Sequence, residues 1–349
     1  MPRVISVGTA LPEWHYRQAE VAEVLRKVYR PLFEKNPELI RVFENSRVED
    51  RYFVRPFEEL MQLGTFVERN KIFAEAGYRL AERAVQECLA AAQLDPGAIS
   101  GIVFVSTTGF SVPSLETTLI NRLGFHPATR RWPIFGWGCT GGVAGLAQAC
   151  AQTRADPRQR ILLVAVELCS LAYQARDLTQ KALIASAIFN DGAAAVLVAG
   201  DEATQPQSDG PQILAAKSHL YPATQEVMGW EQVETGLQVV LSPRIPELVR
   251  DDARRFLASL TAEAGKTIAD LNGVLSHTGG ARILQALEEV LGLELKLSWE
   301  TLRKFGNLSS ASILFTLKAA MQNRLPAKEL GALVAFGPGF SAEGLLVQW

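Results

Sequence analysis

The sequence has few cysteines and histidines and no long hydrophobic run. Its 349 residues include four cysteines and four histidines, and the cysteines form no CxxC pair. This composition argues against a zinc site and a disulfide scaffold, and it fits a reducing compartment. No apolar run reaches the roughly 18 residues of a membrane span, and the N-terminus lacks the apolar core of a signal peptide. We therefore expect a cytoplasmic protein without a membrane span.

An excess of positive charge is also missing. The 35 lysines and arginines are balanced by 37 acidic residues, which gives a net charge of −2. A nucleic-acid partner is therefore not expected. The sequence contains no P-loop, no G-x-G-x-x-G turn between a strand and a helix, and no G-x-S-x-G elbow. Their absence argues against nucleotide-dependent, nicotinamide-dependent and serine-hydrolase chemistry.

What the sequence does contain is an alternation of short apolar runs with helical stretches. Runs at 101–106, 161–166 and 193–199 are typical of buried strands, and residues 65–95 have the spacing of a long helix. Apolar residues make up 48% of the chain, which is enough for a large core. The alternation predicts an α/β fold with strands buried on both faces.

This pattern occurs twice along the chain. Three segments recur in the same order at offsets of 168 to 172 residues, which predicts a duplicated α/β fold. The pairs are 101–109 with 273–280, 138–139 with 306–307, and 161–166 with 331–336. A polar stretch at 200–213 separates the two copies. We place the boundary there, so that residues 1–205 form the first half and residues 206–349 form the second.

Equivalent strand ends of duplicated halves lie close together, which makes Cys139, His277 and Asn307 candidates for one site. Cys139 lies in a Gly-Cys-Thr-Gly-Gly turn before a helical stretch, where the helix dipole favours a thiolate. The alternative is a small buried hydrophobic residue, the common fate of a cysteine. The other three cysteines lack such a setting and are interpreted as core residues: Cys88, Cys150 and Cys169.

The histidine and asparagine each have two interpretations. His277 ends an apolar run and precedes two glycines, where it can bind a substrate carbonyl, pair with a thiolate or be purely structural. Asn307 precedes a helical stretch and is either a helix cap or a neutral donor to an oxyanion. A Cys–His–Asn set also occurs in papain-like proteases, but the local sequence expected around their cysteine is absent. Taken alone, Phe189 is expected to be a core residue, and residues 337–339 are expected to form only a structural turn.

Five motifs resemble those of the type III polyketide synthases, the chalcone and stilbene synthase family. They are Gly138-CTGG, Ile188-FNDGAAA, Ser276-HTGG, Gly306-NLSSAS and Phe336-GPGF. The motifs occur in family order, and the resemblance extends from the first predicted strand to Trp349. Two further segments, Val166-ELCSLAYQ and Met228-GWEQVETGLQVVLS, resemble bacterial synthases that make alkylpyrones or alkylresorcinols.

This resemblance implies a thiolase-like fold in which duplicated βαβαβαββ halves form five layers, αβαβα. It implies a homodimeric acyltransferase whose catalytic triad is Cys139, His277 and Asn307. Acyl-CoA and malonyl-CoA are the implied substrates, and an acyl carrier protein is an alternative starter donor. Neither a metal nor a cofactor is implied.

The resemblance also assigns residues to the substrate cavity. Phe189 matches the family's gatekeeper aromatic, whereas the second gatekeeper phenylalanine is replaced by Val239 and a cavity threonine by Ala172. The lost ring at Val239 predicts a wider cavity, and Trp230 stands where plant enzymes have a small glycine. The other residues assigned to substrate binding are Cys169, Thr107, Val112, Gly337 and Pro338. The residues assigned to coenzyme A are Arg41, Arg47, Arg282, Gly280 and Ser309, with Arg51 as a further candidate for its phosphates.

The resulting hypothesis is a type III polyketide synthase that loads a medium-chain or long-chain acyl starter on Cys139. The enzyme would extend this starter with malonyl-CoA and cyclise the product to an alkylpyrone or alkylresorcinol. Three alternatives remain open. They are a synthase with an aromatic or malonyl starter, a ketoacyl-carrier-protein synthase that condenses once, and a non-catalytic acyl-CoA-binding protein.

Overall fold

The computed structural model describes residues 1–204, 209–323 and 326–349. The boundary that we expected between residues 205 and 206 lies outside the described residues. The strands are β1 (Arg3–Ala10), β2 (Trp14–Arg17), β3 (Asp50–Phe53), β4 (Gly101–Ser106), β5 (Arg130–Phe135), β6 (Arg160–Leu168), β7 (Asp191–Ala199), β8 (Gln212–Leu220), β9 (Met228–Val233), β10 (Gly236–Leu241), β11 (Gly273–Ser276), β12 (Leu330–Gly337) and β13 (Ser341–Gln348).

The α-helices are α1 (Gln18–Val28), α2 (Arg30–Lys35), α3 (Val42–Asn45), α4 (Phe57–Leu60), α5 (Phe66–Ala92), α6 (Leu115–Leu123), α7 (Gly141–Ala155), α8 (Gln180–Ile188), α9 (Ile245–Ala262), α10 (Ala281–Leu291), α11 (Lys296–Phe305) and α12 (Ser312–Gln322). Short 3-10 helices cover Pro37–Arg41, Pro96–Ala98, Gly138–Thr140, Cys169–Ala172, Ile268–Asp270 and Ser309–Ala311. The long helix predicted at 65–95 is confirmed as α5. Within the described part of the chain, no helix has the length and hydrophobicity needed to cross a bilayer.

Nine strands form one sheet in the order β11-β12-β13-β8-β1-β7-β6-β4-β5. The first half of the chain contributes β5, β4, β6, β7 and β1, and the second half contributes the other four. The two half-sheets join where β1 pairs with β8 through Arg3 and Gln212. In both halves the strands linked by helices run parallel, and β7 and β13 return antiparallel. The hairpin β9–β10 and the pair β2–β3 are separate two-stranded sheets.

Alternate side chains of the strands pack against different helices. In β4, Ile102 and Phe104 belong to a core with α5, whereas Val103 and Val105 belong to a core with α7 and α12. This second core also contains residues of β12 and β13, so α7 and α12 lie between the two half-sheets. On the far side of the second half-sheet, Val334 packs with α9 and α10. The strands are therefore buried on both faces, which explains their continuous apolar runs.

The protein thus has five layers, which confirms the αβαβα fold and its duplication. In order, the layers are α5, the first half-sheet, α7 with α12, the second half-sheet, and α9 with α10. The strands β4, β6 and β7 of the first half correspond in order and direction to β11, β12 and β13 of the second. The correspondence is not complete. The described residues of the second half supply four strands to the sheet, because α11 occupies the stretch of chain that corresponds to β5.

The two central helices approach each other at glycines. A Cβ atom added to Gly142 would lie 2.2 Å from the backbone oxygen of Ser310, and one added to Gly141 would lie 3.2 Å from Ser310 Cβ. Only residues without a side chain permit this approach. It brings the start of α7, which follows Cys139, against the turn that follows Asn307, so the two halves meet at the predicted site.

Candidate active site

Cys139 lies in the 3-10 turn Gly138–Thr140, directly before α7. Gly138 has a φ of +50°, and a Cβ atom at this position would lie 2.6 Å from Pro338 Cγ. Its backbone N–H donates to Thr107 Oγ1 at 3.0 Å. The turn therefore needs glycine both for its left-handed backbone and for the close approach of the proline. Thr107 and Pro338, two residues predicted to bind substrate, brace the cysteine turn from opposite sides.

The turn between β12 and β13 forms a wall of the same site. A Cβ atom added to Gly337 would lie 2.9 Å from Thr140 Cγ2 and 3.0 Å from the Thr140 backbone nitrogen. Gly337 and Pro338 therefore pack on the two residues that flank Cys139. The Gly-Pro-Gly sequence, which on its own indicated only a turn, allows this close packing of one half of the chain on the other.

Asn307 and Ser309 face the cysteine from the second half. Cys139 Sγ lies 3.9 Å from Ser309 Oγ, to which it donates, and the backbone N–H of Ser309 donates to Asn307 Oδ1 at 2.8 Å. Asn307 Nδ2 approaches the backbone oxygen of Gly279 at 3.5 Å. Ser309 is fully buried. This corrects its assignment to coenzyme A, because a buried hydroxyl beside the Cys139 thiol has no exposed surface with which to meet that ligand.

His277 is buried at the end of β11, next to Gly279. A Cβ atom at Gly279 would lie 3.3 Å from His277 Cδ2, so a glycine is needed beside the ring. Neither ring nitrogen of His277 has a hydrogen-bond partner among the described residues. Burial lowers the pKa of His277 to about 3, so the imidazole is neutral and holds one donor and one acceptor.

The structure changes our expectation for the cysteine itself. Burial raises the pKa of Cys139 to about 12, and the negative charge of Glu167 acts in the same direction. The Ser309 hydroxyl and the Asn307 amide lower the pKa but do not offset burial. Desolvation therefore opposes the resting thiolate that we predicted from the helix N-terminus. The thiol must lose its proton during the reaction.

Glu167 is a residue of this site that our sequence analysis missed. It is fully buried at the end of β6, and its Oε2 accepts from both the backbone N–H (3.2 Å) and the Oγ1 (2.8 Å) of Thr108. Its Oε1 accepts from Ser310 Oγ at 2.5 Å. Burial raises the pKa of Glu167 to about 7. One acidic residue within the apolar run of β6 was the signal that could have revealed it.

Comparison with known proteins agrees with this geometry. Residues 2–202 match the family described as chalcone and stilbene synthases, N-terminal domain, and residues 212–349 match the C-terminal domain of the same family. The expected boundary between residues 205 and 206 falls between the two matches. A 1,3,6,8-tetrahydroxynaphthalene synthase of Streptomyces peucetius subsp. caesius is 36% identical over 350 residues, which cover 99% of this chain and 93% of the relative.

The chain belongs to the chalcone and stilbene synthase family. It is a type III polyketide synthase and therefore an acyltransferase. The crystal structure of the tetrahydroxynaphthalene synthase of Streptomyces coelicolor A3(2) matches with a TM-score of 0.93 and 31% identity, over 99% of both chains. The C-terminal type III polyketide synthase domain of Steely1 from Dictyostelium matches with a TM-score of 0.93 and 27% identity, also over 99% of both chains.

Phe189, the predicted gatekeeper of this synthase, packs against Trp230, with ring centroids 5.6 Å apart. Trp230 is the direct cross-strand partner of Val239 in the hairpin β9–β10. The space left between these residues, Cys169 and Ala172 is about 10 Å³, barely enough for one water molecule. The cavity beside Val239 is therefore small in this structure, and the indole of Trp230 lines it together with Val239.

Most of the remaining predicted residues of this synthase lie at the surface. Val112 is 96% exposed and does not line the pocket beside Phe189. Arg41, Arg47 and Arg282 are also exposed, and Arg47 lines a surface groove of about 1300 Å³ between α1 and α11. Gly280 begins α10 with a φ of +139°. Arg51 is fully buried, which corrects its candidacy for the coenzyme A phosphates: Arg51 has no exposed surface with which to reach them.

Proposed function

We propose that this synthase loads an acyl-CoA starter on Cys139, extends it by decarboxylative condensation with malonyl-CoA, and cyclises the product. The observation that carries the proposal is that the buried ring of His277 makes no hydrogen bond within the described residues. Its two ring nitrogens are buried and have no partner among the described residues, although the neighbouring Asn307 and Ser309 are hydrogen-bonded. A buried imidazole with both nitrogens unused is costly unless a substrate occupies them.

Loading begins with a proton transfer. The neutral His277 takes the proton of the Cys139 thiol as sulfur attacks the thioester carbonyl of the starter. The tetrahedral intermediate then collapses, the carbon–sulfur bond to coenzyme A breaks, and the departing thiolate receives the proton from His277. The raised pKa of the Cys139 thiol and the lowered pKa of His277 both keep the proton on sulfur in the resting site, so we propose that it moves to His277 only as sulfur attacks the thioester.

Extension uses the same histidine together with Asn307. The backbone N–H of Ser309 occupies Asn307 Oδ1, which leaves the Nδ2 end of the amide to donate. We propose that Asn307 Nδ2 and His277 donate to the thioester carbonyl of malonyl-CoA. Carbon dioxide leaves, the oxygen gains negative charge, and the two donors stabilise the enolate. The enolate attacks the acyl carbonyl, and the Cys139 thiolate departs. Lactonisation of the extended chain expels coenzyme A and gives a pyrone, whereas aldol closure with loss of water, hydrolysis of the thioester and decarboxylation gives a resorcinol.

The starter that we propose is a medium-chain or long-chain acyl group. Small residues, Ala172, Ala182 and Ala185, surround the pocket beyond Phe189. Its outer wall is the hairpin β9–β10, which side-chain hydrogen bonds such as that from Gln238 Nε2 to Asp177 Oδ2, at 2.6 Å, hold in place. An acyl tail would enter by displacing the indole of Trp230, which this hairpin carries.

A small starter such as malonyl is the second candidate. The filled space between Phe189 and Trp230 favours it, because the resting pocket admits nothing larger than water. The tetrahydroxynaphthalene synthases among the relatives also favour a compact, fully malonyl-derived chain.

Coenzyme A is proposed to bind where Arg282 and Gly280 begin α10, since His277 lies three residues before Gly280. Arg41 and Arg47 are the further cations proposed for its phosphates. All three arginines are exposed, and the described residues give none of them an ion pair. Charge reversal at Arg282 or Arg47 should raise the KM for malonyl-CoA and leave kcat nearly unchanged, because phosphate contacts do not change during the chemical step.

We also propose a homodimer. Phe110, Val112 and Phe135 are strongly exposed, and Phe110 contacts both Phe66 and Phe135, with centroids 5.5 and 6.0 Å apart. They lie beside β5, the outer strand of the nine-stranded sheet. An exposed aromatic patch at a free sheet edge is suited to a second copy of the chain. Light scattering tests this proposal. We expect the wild type to be a dimer and Phe135→Glu to be a monomer. A monomeric wild type would contradict the proposal.

The deciding experiment for the activity is mass spectrometry of products from malonyl-CoA and a panel of starters. The panel runs from acetyl-CoA to long-chain acyl-CoA and includes malonyl-CoA alone, coumaroyl-CoA and an acyl carrier protein loaded with a fatty acyl group. Alkylpyrones or alkylresorcinols from long chains, absent with Cys139→Ala, support the first proposal. Products from malonyl-CoA alone support the second. No product from any starter contradicts the proposed reaction.

A further inference from the structure

The buried side chain of Arg51 lies directly behind residues 188–190, which contain the predicted gatekeeper Phe189 and are called the gatekeeper segment below. Arg51 Nε donates to Asn190 Oδ1 at 2.7 Å, and Nη1 donates to Gln18 Oε1 at 2.6 Å. Nη2 donates to the backbone oxygens of Ser186 and Phe189 at 2.9 and 2.8 Å. None of these partners is a carboxylate, and burial lowers the pKa of Arg51. A buried cation without a directly bonded anion is expensive, so this position requires a specific benefit.

Arg51 helps to hold the backbone of the gatekeeper segment by hydrogen bonds. On one side, the backbone N–H of Asn307 donates to Ile188 O at 2.8 Å, and the backbone N–H of Asn190 donates to Asn307 O at 2.9 Å. The residue between them, Phe189, directs its own carbonyl to the other side. There it accepts from Arg51 Nη2 and from the hydroxyl of Tyr173, at 2.8 and 2.5 Å. The extended segment is thus held from both sides.

We infer that Arg51 is a positioning residue that fixes the gatekeeper Phe189 relative to the oxyanion donor Asn307. Phe189 and Asn307 come from different halves of the chain and pair only through a short parallel bridge. Arg51 fixes the opposite side of this bridge. The inference rests on the proposed function for its catalytic meaning: Phe189 shields the acyl-enzyme from water while Asn307 holds malonyl-CoA, so their spacing keeps decarboxylation coupled to condensation.

The guanidinium is suited to this task in a way that an ammonium is not. Its donors lie in one rigid plane and reach α1 through Gln18, the end of α8 through Ser186, and the segment after it through Asn190. A lysine offers three donors at one point and cannot span these partners. Tyr173 Oη also accepts from Arg51 Nη2, at 3.1 Å, so the arginine orients the second donor to Phe189 O as well.

The test compares Arg51→Met and Arg51→Lys with Tyr173→Phe and with a matched control, Arg69→Lys. Arg69 is likewise buried and donates to the backbone oxygens of Leu63 and Leu171, neither of which belongs to residues 188–190 or bonds to Asn307. Three quantities are measured and corrected for the folded fraction: starter loading on Cys139, decarboxylation of malonyl-CoA, and condensed product.

In both Arg51 variants we expect loading to change by less than about twofold, while product per malonyl-CoA decarboxylated falls about tenfold or more. Free acid from hydrolysis of the acyl-enzyme should rise in parallel. Tyr173→Phe should also lower the amount of product per malonyl-CoA decarboxylated, but to a smaller extent. Arg69→Lys should leave this ratio unchanged. Equal loss of all three quantities in the Arg51 variants would indicate a merely structural arginine and overturn the inference.

A second measurement is independent of turnover. Hydrogen exchange of peptides that span residues 186–192 and 305–311 reports the amides of Asn190 and Asn307, which we expect to exchange faster in Arg51→Met and not in Arg69→Lys. If Arg51→Met does not fold, Tyr173→Phe provides both readouts. Faster exchange in a protein whose wild type makes no product would refute the proposed function but retain the positioning role. Unchanged exchange with an unchanged product ratio would overturn the positioning role.

Discussion

The indole of Trp230 packs against the ring of Phe189 and lines the same small pocket as its cross-strand neighbour, Val239. The two hairpin positions therefore act as one unit: a small residue at one is compensated by a large residue at the other. The volume available to a starter depends on this pair rather than on either residue alone. Trp230 is consequently the side chain that should decide which starters enter.

Replacement of Trp230 by alanine should admit longer starters. Removal of the indole opens the pocket toward Ala172, and each methylene that gains contact is worth about 1 to 3 kcal/mol, or roughly tenfold or more in kcat/KM. We expect kcat/KM for long-chain acyl-CoA to rise relative to acetyl-CoA, measured by competition between starters. Trp230→Phe, which keeps a ring, is the matched control and should retain the wild-type preference. An unchanged preference in Trp230→Ala would show that another element limits the pocket.

The sequence predicted the buried strands, the duplication and the three catalytic candidates for physical reasons, whereas the five-layer arrangement was implied by the family resemblance. Strands buried on both faces leave continuous apolar runs, and duplication places equivalent strand ends together, so Cys139, His277 and Asn307 could be associated without coordinates. Long-range pairing could not be predicted. The contact of Trp230 with Phe189 depends on the register of a hairpin, which local sequence constrains weakly.

The burial of Arg51 and the pKa of Cys139 also could not be predicted from the sequence, because both depend on tertiary packing. Arg51 lies in a segment rich in charge, where arginines are ordinarily solvated, yet its side chain is completely enclosed by the first half. The pKa of Cys139 depends on how much solvent the closed site excludes, and that is a property of packing. A glycine-rich turn at a helix start therefore predicted the position of the nucleophile but not its protonation state.

Asn307→Ala should affect decarboxylation far more than loading. The side-chain amide is proposed to donate to the malonyl thioester oxygen, where charge develops, and loss of one such donor costs about 3 to 4 kcal/mol, or 10² to 10³ in rate. Starter loading on Cys139 should remain close to the wild-type rate. Release of carbon dioxide from labelled malonyl-CoA and acylation of Cys139 measure the two steps separately. Cys139→Ala should abolish loading and condensation together. Equal slowing of both steps in Asn307→Ala would refute the oxyanion role.

His277→Ala should slow alkylation of Cys139 by iodoacetamide at pH 7. Burial raises the pKa of this thiol to about 12, so the reactive thiolate depends on a base that accepts its proton. We expect a decrease of about 10²-fold, typical for the loss of a general base. Asn307→Ala, which removes no base, should cause a smaller decrease. Peptide mass spectrometry distinguishes Cys139 from the three buried cysteines. An undiminished rate in His277→Ala would mean that His277 does not accept the thiol proton.

The buried carboxyl group of Glu167 should make the protein less stable as the pH rises from about 4.5 to 7. Its pKa is raised from 4.5 to about 7 in the folded chain, so the folded state binds more protons than the unfolded state across this range. The free energy of unfolding should therefore fall with pH, and this group alone accounts for a decrease of about 3 kcal/mol. Glu167→Gln keeps the shape but cannot ionise, and its stability should lose that part of the pH dependence in denaturant titrations at pH 5, 6, 7 and 8. Glu263→Gln, which removes a carboxylate paired with Lys217 at the surface, is the control and should parallel the wild type. Parallel curves for Glu167→Gln and the wild type would mean that the carboxyl group keeps an ordinary pKa in the folded protein.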